Sequence, residues 1–267
     1  MTPRSFVAAD VDVDALCKAK AGAGVSISVC IPARDEALTV GSVVTNIRRD
    51  LVERHSLVDE ILVVDDGSTD RTAAIAADAG ARVISGPAAG KGDALWTSVA
   101  TSTGDLIVWC DADVRGFDPR FVIGLAAPML LDDDIDFVKG HYERNSGRVT
   151  ELTARPVITL LFPHLAAFAQ PLSGEYAGRR SLLEELPFTT DYGVDLGLLI
   201  DVADRIGLAR IAQVDLGVRV HRNRPLEELT PQAEQVLRAA LERADMVPVA
   251  NRRPPIVDVA AVRRRTA

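Results

Sequence analysis

Asp111 and Asp113 flank a single alanine directly after residues 105–110, an apolar run that is typical of a buried strand. Carboxylate oxygens are the ligands that Mg²⁺ or Mn²⁺ prefers, together with waters and substrate phosphates. A cation held there would neutralise the charge that grows on a diphosphate as it departs. Two solvated loop aspartates are an equally good interpretation of an isolated Asp-x-Asp. It is the position after a strand that favours a metal site.

Two other polar segments stand beside predicted elements. Asp65 and Asp66 close the apolar run 60–65, where a carboxylate can accept hydrogen bonds from a base N–H or from ribose hydroxyls. The next residues, Gly67–Asp70, are instead typical of a turn and a helix N-cap. Lys91 lies between two glycines, so the backbone can approach an anion while the ammonium supplies a point charge. The P-loop frame is absent, and this segment alone indicates little.

One histidine and three carboxylates complete the set of candidates. His221 stands in a polar run after the strand-like residues 211–220. A lone histidine is more often structural than a ligand, but this one could complete a metal shell with Asp113. The remaining candidates are Glu175, Asp191 and Asp195. They lie in predicted loops or in the first turn of a helix, and their spacing alone makes none of them a catalytic base.

The elements that must position these residues alternate along the first half of the sequence. Apolar runs predict strands, and amphipathic or alanine-rich stretches predict helices. The predicted strands cover residues 25–31, 60–65, 81–85 and 105–110, and the predicted helices cover residues 36–51, 71–79 and 91–101. Strands separated by helices favour an open parallel sheet, in which ligands bind outside the carboxyl ends of the strands. The polar segments therefore point to one crevice.

Outside this region the alternation is harder to follow. A further strand is predicted over residues 135–139, and helices over residues 149–162, 195–206 and 225–244. The first 24 residues predict a short helix or an arm without a clean strand. The basic segments 251–255 and 263–267 predict a loosely ordered tail.

Composition limits the classes of protein to consider. The sequence has 267 residues, 48% of them hydrophobic, which is enough to bury a full core in one large domain or two fused halves. The net charge of −8 argues against a nucleic-acid partner. The three cysteines (17, 30 and 110) show no C-x-x-C spacing, so neither a disulfide framework nor a zinc site is expected. No signal-like segment opens the sequence and no apolar run reaches the ~20 residues of a membrane helix, so we expect a cytosolic protein without a membrane partner.

The motifs around the candidate residues resemble those of a known family. Pro32–Glu36, Val64–Asp70 and Asp111–Asp113 are similar to the nucleotide-sugar motifs of GT-A-fold glycosyltransferases. The second half resembles the glucosyl-3-phosphoglycerate synthases more closely, through Gly147–Leu152, Gln170–Tyr176, Tyr192–Val194, Gly197–Asp201, Ala212–Gly217 and His221–Pro225. The likeness covers roughly residues 26–229. It implies an α/β fold class, with a GT-A-type, Rossmann-like, mostly parallel sheet, helices on both faces and a fused acceptor-binding half.

The resemblance also implies a reaction and an organisation of the chain. Glucose would pass from NDP-glucose, with UDP-glucose the expected donor, to the 2-hydroxyl of 3-phosphoglycerate with retention of the α configuration. The implied parts are an N-terminal arm (1–24), a nucleotide-sugar-binding α/β half (25–140), an acceptor-binding half (141–248) and a C-terminal tail (249–267). A homodimer is implied as well.

Residue roles follow from the same resemblance. The implied donor contacts are Pro32, Ala33, Glu36, Asp66, Lys91, Asp111, Ala112 and Asp113. Asp113 and His221 would bind Mg²⁺ or Mn²⁺, and the implied acceptor contacts are Gly147, Arg148, Thr150 and Asn223. The catalytic centre would contain the backbone carbonyl of Leu172 and the side chain of Asp195. In the implied front-face displacement, the leaving diphosphate helps to deprotonate the acceptor.

Two positions depart from the family pattern, and two other functions fit the motifs less well. Asp195 stands where the family usually carries a glutamate, so donor choice or rate could differ, and Arg34-Asp35 stands where relatives carry an uncharged pair.

A polyprenyl-phosphate mannosyltransferase would be expected to have a membrane segment or a basic amphipathic helix. A sugar nucleotidyltransferase should carry a glycine-rich loop after the first strand, where this sequence has Pro32–Glu36.

Overall fold

The described residues form one large sheet, built mainly from the apolar runs of the sequence, and one short ribbon. A computed structural model describes residues 2–143, 147–218 and 226–260 of the chain. The strands are β1 (Arg4–Val7), β2 (Ile27–Ala33), β3 (Glu60–Asp65), β4 (Arg82–Ser85), β5 (Leu106–Trp109), β6 (Phe137–Glu143), β7 (Tyr176–Arg179), β8 (Phe188–Thr189), β9 (Ile211–Val218) and β10 (Arg252–Arg253). The helices are α1 (Val13–Ala23), α2 (Val40–Ile47), α3 (Thr72–Asp78), α4 (Lys91–Thr101), α5 (Arg120–Leu131), α6 (Arg155–Leu161), α7 (Arg180–Leu183), α8 (Val194–Ile206) and α9 (Thr230–Arg243).

The large sheet is mostly parallel, as the sequence predicts. Its strand order across the described residues is β1-β9-β6-β7-β5-β2-β3-β4. Neighbouring strands are parallel except at β7, which is antiparallel to both β5 and β6. Strands β6, β7 and β9 from the second half of the chain therefore continue the sheet that the first half begins.

Alternate residues of the central strands divide between two apolar cores, one on each face of the sheet. In β3, Ile61 and Val63 pack in the core that α1, α2 and α5 cover. Leu62 and Val64 pack in the other core, which contains residues of α4, α6 and α8. Because successive side chains of a strand point to opposite faces, a strand between two layers of helices must be apolar throughout. This explains the unbroken apolar runs of β3 and β5.

The predicted elements of the first half are largely confirmed. Strand β3 and helix α4 have the predicted limits. The helix predicted from residue 36 begins only at Val40, because the N–H of Glu36 donates to Thr72 Oγ1 at 2.8 Å and holds this segment in a loop. It then continues as a π-helical segment, Arg48–Arg54. Among the described helices, none is both long and apolar enough to cross a membrane.

Both ends of the described chain differ from the sequence-based prediction. Residues 4–7 form β1, which pairs with β9 at the edge of the sheet, so the prediction of an arm without a strand is wrong there. Near the other end, β10 pairs with β8, so the prediction of a loose tail is wrong for residues 252–253. Neither segment has a periodic apolar pattern. Each is held by a strand that is distant in the sequence, which local pattern does not indicate.

The parallel strands all end at the same edge of the sheet, which positions the candidate site. Ala33 ends β2, Asp65 ends β3 and Trp109 ends β5. Strands β6 and β9 run in the same direction and end at Glu143 and Val218. The segments that follow these five strands contain most of the predicted site residues, as expected for a sheet whose ligands bind beyond the carboxyl ends.

Candidate functional site

The loop after β2 is tied to the loop after β3 by Asp35. The Asp35 carboxylate accepts a hydrogen bond from the backbone N–H of Thr69 at 2.7 Å, and the N–H of Asp35 donates to Ser68 Oγ at 3.0 Å. These bonds hold the β2 loop beside the segment that carries Asp66. They also give the charged residue at position 35 a structural role. The predicted donor residues on this side are Pro32, Ala33 and Glu36.

Asp66 lies just beyond β3 and is buried. Its Oδ2 atom accepts the N–H of Gly90 at 3.0 Å, which connects this loop to the start of α4. Among the described residues, the Oδ1 atoms of Asp65 and Asp66 are buried and have no hydrogen-bond partner. Burial raises the pKa of Asp66, although the bond from Gly90 opposes this. Buried acceptors without a partner are costly, so these oxygens favour a ligand that supplies N–H or O–H groups.

Lys91 joins two carboxylates from opposite halves of the chain. Its Nζ atom lies 3.3 Å from Oδ1 of Asp111 and 3.0 Å from Oδ2 of Asp195. Burial by itself would lower the pKa of Lys91, but the two carboxylates raise it well above its usual value, so the side chain stays charged. As the first residue of α4, Lys91 places a fixed cation at the edge where the polar loops meet. That arrangement suits a bound diphosphate.

The Asp-x-Asp segment supplies oxygen donors of the type that a hard cation prefers. Asp113 is exposed, whereas Ala112 beside it is buried. Its predicted partner, His221, lies outside the described residues. Within residues 2–143, 147–218 and 226–260, no group of three or more His, Cys, Asp or Glu side chains is placed to hold a metal ion. The carboxylates fit Mg²⁺ or Mn²⁺, and a shell completed by His221, a diphosphate and waters stays a prediction.

The loop before β7 packs directly against Asp111. A Cβ atom at Gly174 would overlap the Asp111 carboxylate, so a glycine here lets the loop approach Asp111 without displacing that side chain from Lys91. The same loop carries Leu172, whose side chain is partly buried. Its backbone carbonyl is predicted to lie near the reacting centre, and this role stays a prediction.

Asp195, in the first turn of α8, is buried within a network of side chains. Tyr176 donates its hydroxyl proton to Oδ1 of Asp195 at 3.2 Å, and Lys91 binds the other carboxylate oxygen, Oδ2. Lys139 Nζ donates to the backbone carbonyl of Asp195 at 3.2 Å and lies 4.2 Å from the centroid of the Tyr176 ring. Lys139 is fully enclosed, and burial lowers its pKa to about 8.

Neither Lys139 nor Tyr176 is among the predicted site residues. Lys139 ends the apolar run 135–139 and Tyr176 ends the family motif Gln170–Tyr176, but neither position indicates a contact between the two. What brings the two together is the pairing of β6 with β7, in which Lys139 stands opposite Tyr176.

The predicted acceptor residues follow the end of β6. Gly147 and Arg148 precede a π-helical segment, Thr150–Ala154. Arg148 is exposed and Thr150 is buried. A guanidinium fork suits a phosphate or carboxylate, as the acceptor assignment requires. The fourth predicted residue, Asn223, lies outside the described residues.

Comparison with known proteins shows what the site resembles. A sequence model described as Glycosyl transferase family 2 matches residues 28–192. The glucosyl-3-phosphoglycerate synthase of Mycolicibacterium smegmatis is 48% identical in an alignment 234 residues long, and the match covers 80% of this chain and 76% of that protein. The crystal structure of the Mycobacterium tuberculosis glucosyl-3-phosphoglycerate synthase, in complex with Mn²⁺, uridine-diphosphate-glucose and phosphoglyceric acid, is similar with a TM-score of 0.89 and 43% identity, over 96% of this chain and 99% of that chain. This chain belongs to the glucosyl-3-phosphoglycerate synthase family, within glycosyl transferase family 2.

The fold of this glucosyl-3-phosphoglycerate synthase family member is therefore of the GT-A type, as the sequence predicts. The mannosyl-3-phosphoglycerate synthase of Rubrobacter xylanophilus is also similar, with a TM-score of 0.90 and 36% identity, over 96% of this chain and 97% of that chain. The predicted donor residues from Pro32 to Asp113 all lie inside the range matched by the family 2 model, whereas Asp195 lies beyond it.

Proposed function

We propose that this protein transfers glucose from UDP-glucose to the 2-hydroxyl of 3-phosphoglycerate, with retention of the α configuration. The product is glucosyl-3-phosphoglycerate. The observation that carries the proposal is the contact of Lys91 with both Asp111 and Asp195, at the sheet edge where the nucleotide-sugar motifs converge. The donor and acceptor bound by the mycobacterial relative support this choice of substrates.

The donor would occupy the crevice beyond β2, β3 and β5. Its assigned contacts are Pro32, Ala33, Glu36, Asp66, Lys91, Asp111, Ala112 and Asp113. The buried Oδ1 atoms of Asp65 and Asp66 are acceptors for a base N–H or for ribose hydroxyls. The charged Lys91 would bind the diphosphate side of the donor. Groups that are buried and fixed in advance stabilise developing charge without reorganising during the reaction.

The assigned metal ligands are Asp113 and His221. A bound Mg²⁺ or Mn²⁺ would neutralise the diphosphate as its bond to glucose breaks. Asp113 is exposed at the strand edge, where a substrate diphosphate can share its cation. Lys91 adds a second positive charge beside the same Asp-x-Asp segment.

The acceptor would be held by Gly147, Arg148, Thr150 and Asn223, with the Arg148 guanidinium on the phosphate or carboxylate. In the transfer, the acceptor hydroxyl oxygen forms a bond to C1 of glucose on the face from which the diphosphate leaves. The bond from C1 to the diphosphate oxygen breaks, and the hydroxyl proton passes to the diphosphate. The Leu172 carbonyl would accept a hydrogen bond near the reacting hydroxyl, and Asp195 would orient the donor sugar.

NDP-mannose is a second candidate donor. The Rubrobacter enzyme that is named for mannosyl transfer is structurally as similar as the mycobacterial one, with a TM-score of 0.90. Position 195 also carries an aspartate, where the family resemblance implies a longer glutamate. Both observations concern the sugar rather than the acceptor, so 3-phosphoglycerate stays the proposed acceptor in either case.

An assay of nucleoside diphosphate release tests the proposal. Purified protein with Mg²⁺ or Mn²⁺ is incubated with UDP-glucose, GDP-glucose or GDP-mannose, with and without 3-phosphoglycerate. A polyprenyl phosphate replaces 3-phosphoglycerate in a parallel arm. We expect UDP release from UDP-glucose that requires both the metal and 3-phosphoglycerate. If no donor gives acceptor-dependent release, the proposal is wrong, and release with the lipid phosphate alone favours a lipid transferase.

We also propose the functional division of the chain into an arm (1–24), a nucleotide-sugar-binding half (25–140), an acceptor-binding half (141–248) and a tail (249–267). Both halves contribute strands to one sheet, so this division concerns function rather than separate folding. A homodimer in the cytosol completes the proposal. Light scattering on the purified protein and fractionation of the source cells test these two points.

A further inference from the structure

Residues 251–254, here called the C-terminal clamp, contact both helices that carry the Lys91–Asp195 pair. Arg252 and Arg253 form β10, which pairs with β8 in antiparallel register. Successive side chains of a strand point to opposite sides. The two arginines therefore reach different helices.

Arg253 is bonded to α4. Its guanidinium forms a two-point ion pair with Asp93, in which Nη2 lies 3.3 Å from Oδ2. The guanidinium also lies 5.4 Å from the centroid of the Trp96 ring, and Trp96 Nε1 donates to the carbonyl of Pro254 at 2.9 Å. Asp93 is completely buried and stands two residues after Lys91. Because a buried carboxylate strongly disfavours the loss of its partner, this contact fixes the first turn of α4.

Arg252 is bonded to α8. Its Nη2 atom lies 3.2 Å from Oδ1 of Asp201, which also accepts a bond from Arg243 Nε at 2.9 Å. Asp201 lies on the helix that begins with Asp195 in its first turn. The clamp is thus bonded to the two helices whose residues Lys91 and Asp195 meet at 3.0 Å.

The segment between β8 and α8 links the clamp to α4 a second time. The N–H of Thr190 donates to the carbonyl of Asn251 at 3.1 Å, and the carbonyl of Thr190 accepts the N–H of Asp93 at 3.0 Å. A Cβ atom at Gly92 would overlap the carbonyl of Thr189, so α4 and this segment are in backbone contact. A shift of the clamp must therefore move the first turn of α4, the segment before α8, or both.

We propose that the C-terminal clamp sets the relative position of Lys91 and Asp195 and thereby the affinity for the sugar-nucleotide donor, with Arg253 as the positioning residue. The inference rests on the proposed function, which assigns Lys91 and Asp195 to the donor. Loss of Arg253 removes the tie between β10 and the first turn of α4, and it also leaves the buried Asp93 carboxylate without its cation. The missing tie lets this turn shift and moves Lys91 even where the charge of Asp93 is removed as well, whereas the acceptor residues 147–150 lie on a different connection.

Kinetics of Arg253 variants test the proposal. Arg253→Gln should raise the KM for UDP-glucose by about tenfold and change the KM for 3-phosphoglycerate by less than about twofold. Arg253→Lys, which keeps the charge, should recover a large part of the donor affinity. The matched control is Arg205→Gln, which breaks an exposed arginine pair with Glu185 and should leave both KM values unchanged. Equal changes in both KM values, or no change in either, overturn the proposal.

A double variant separates positioning from stability. Asp93→Asn combined with Arg253→Gln removes the unpaired buried charge, so its Tm should return toward the wild-type value while the KM for UDP-glucose stays raised. If both the Tm and the donor KM return to wild-type values, Arg253 serves stability only and the proposal is wrong. If Arg253→Gln does not fold, Trp96→Phe removes the bond to Pro254 and leaves a smaller ring beside Arg253, so it should raise the donor KM by about two- to threefold; an unchanged donor KM in that variant overturns the proposal. A wild-type protein without transfer activity contradicts the proposed function, whereas an active wild type with unaltered Arg253 variants contradicts the clamp alone.

Discussion

The proposed donor side and the proposed acceptor side of the site are built differently. On the donor side, Asp66, Lys91 and Asp195 are largely buried, and each is bonded to a residue of another element. They follow a buried strand or begin a helix that packs on the sheet. On the acceptor side, Arg148 is exposed and lies with Gly147 on the connection after β6.

The difference matches the demands of the two substrates. A buried network holds its charges at fixed distances before the ligand arrives, which suits stabilisation of a departing diphosphate. An exposed arginine can be reached directly from solvent, which suits a small acid that must enter and then leave as part of a larger product. Substitutions on the donor side should therefore lower kcat as well as donor affinity, and substitutions on the acceptor side should raise a single KM.

Asp113→Ala should have the largest effect. The charge that develops on the diphosphate would lose its metal counter-charge, so kcat should fall by about 10³-fold or more. UDP release at saturating concentrations of both substrates measures this fall. Asp133→Ala, an exposed aspartate before β6 at the opposite edge of the sheet, is the matched control. Retention of more than about a tenth of the wild-type kcat would contradict a metal-binding role for Asp113.

Lys91→Met tests whether the buried network serves the donor. The substitution leaves Asp111 and Asp195 close together without their shared cation, so the free energy of unfolding should fall by about 3–5 kcal/mol. The kcat/KM for UDP-glucose should fall by about 10²-fold, while the KM for 3-phosphoglycerate stays near its wild-type value. Urea unfolding and steady-state kinetics measure the two effects. Lost stability with unaltered donor kinetics would make Lys91 purely structural.

Arg148→Ala tests the other side of the comparison. A charge-assisted contact contributes about 1.5–3 kcal/mol, so the KM for 3-phosphoglycerate should rise about 10- to 100-fold. The KM for UDP-glucose should not change. The matched control is Arg155→Ala, an arginine that pairs with Glu151 on the same connection. A rise confined to the donor KM would refute the acceptor assignment.

Lys139→Met probes the buried network through pH. Because burial lowers the pKa of Lys139 from 10.5 to about 8, the unfolded chain binds more protons than the folded chain between these values. The free energy of unfolding of the wild-type protein therefore rises as the pH rises through that window. The variant has no lysine at this position and lacks this rise. The free energy of unfolding of the wild type minus that of the variant should therefore increase by about 1–2 kcal/mol from pH 7 to pH 9.5. Urea unfolding at both pH values measures it, with the exposed Lys18→Met as control; a constant difference would contradict the lowered pKa.

Asp195→Glu should have the smallest effect and concerns the sugar alone. The added methylene changes how the carboxylate meets Lys91, Tyr176 and a donor sugar within a closed space. We expect the ratio of kcat/KM for UDP-glucose over GDP-mannose to change by up to about tenfold, without a change in the KM for 3-phosphoglycerate. An unaltered ratio would show that this carboxylate does not select the sugar.

The elements on the proposed donor side could be predicted from the sequence because their signals are local, whereas the roles of Lys91 and Asp195 were implied by the family resemblance. The apolar run of β3 is followed at once by Asp65 and Asp66, and the limits of α4 are marked by Gly90 and by a change in periodicity. A strand that ends in polar residues at the edge of a parallel sheet predicts both the element and the crevice.

The residues that hold the donor side in place could not be predicted in this way. Lys139 meets Tyr176 only through strand pairing, and Asp93 meets Arg253 across 160 residues of sequence. A single lysine or arginine carries no local sign of a buried partner. The acceptor side was predicted from the family resemblance alone, and the roles of His221 and Asn223, outside the described residues, stay predictions.

The most direct test of the central claim is an NMR analysis of the product formed from UDP-glucose labelled with ¹³C at C1 and from 3-phosphoglycerate. We predict an α-configured anomeric carbon that is linked through oxygen to C2 of the glycerate, with one UDP released for each product molecule. A β-linked product, or UDP and free glucose without a glucosylated acid, would contradict the account.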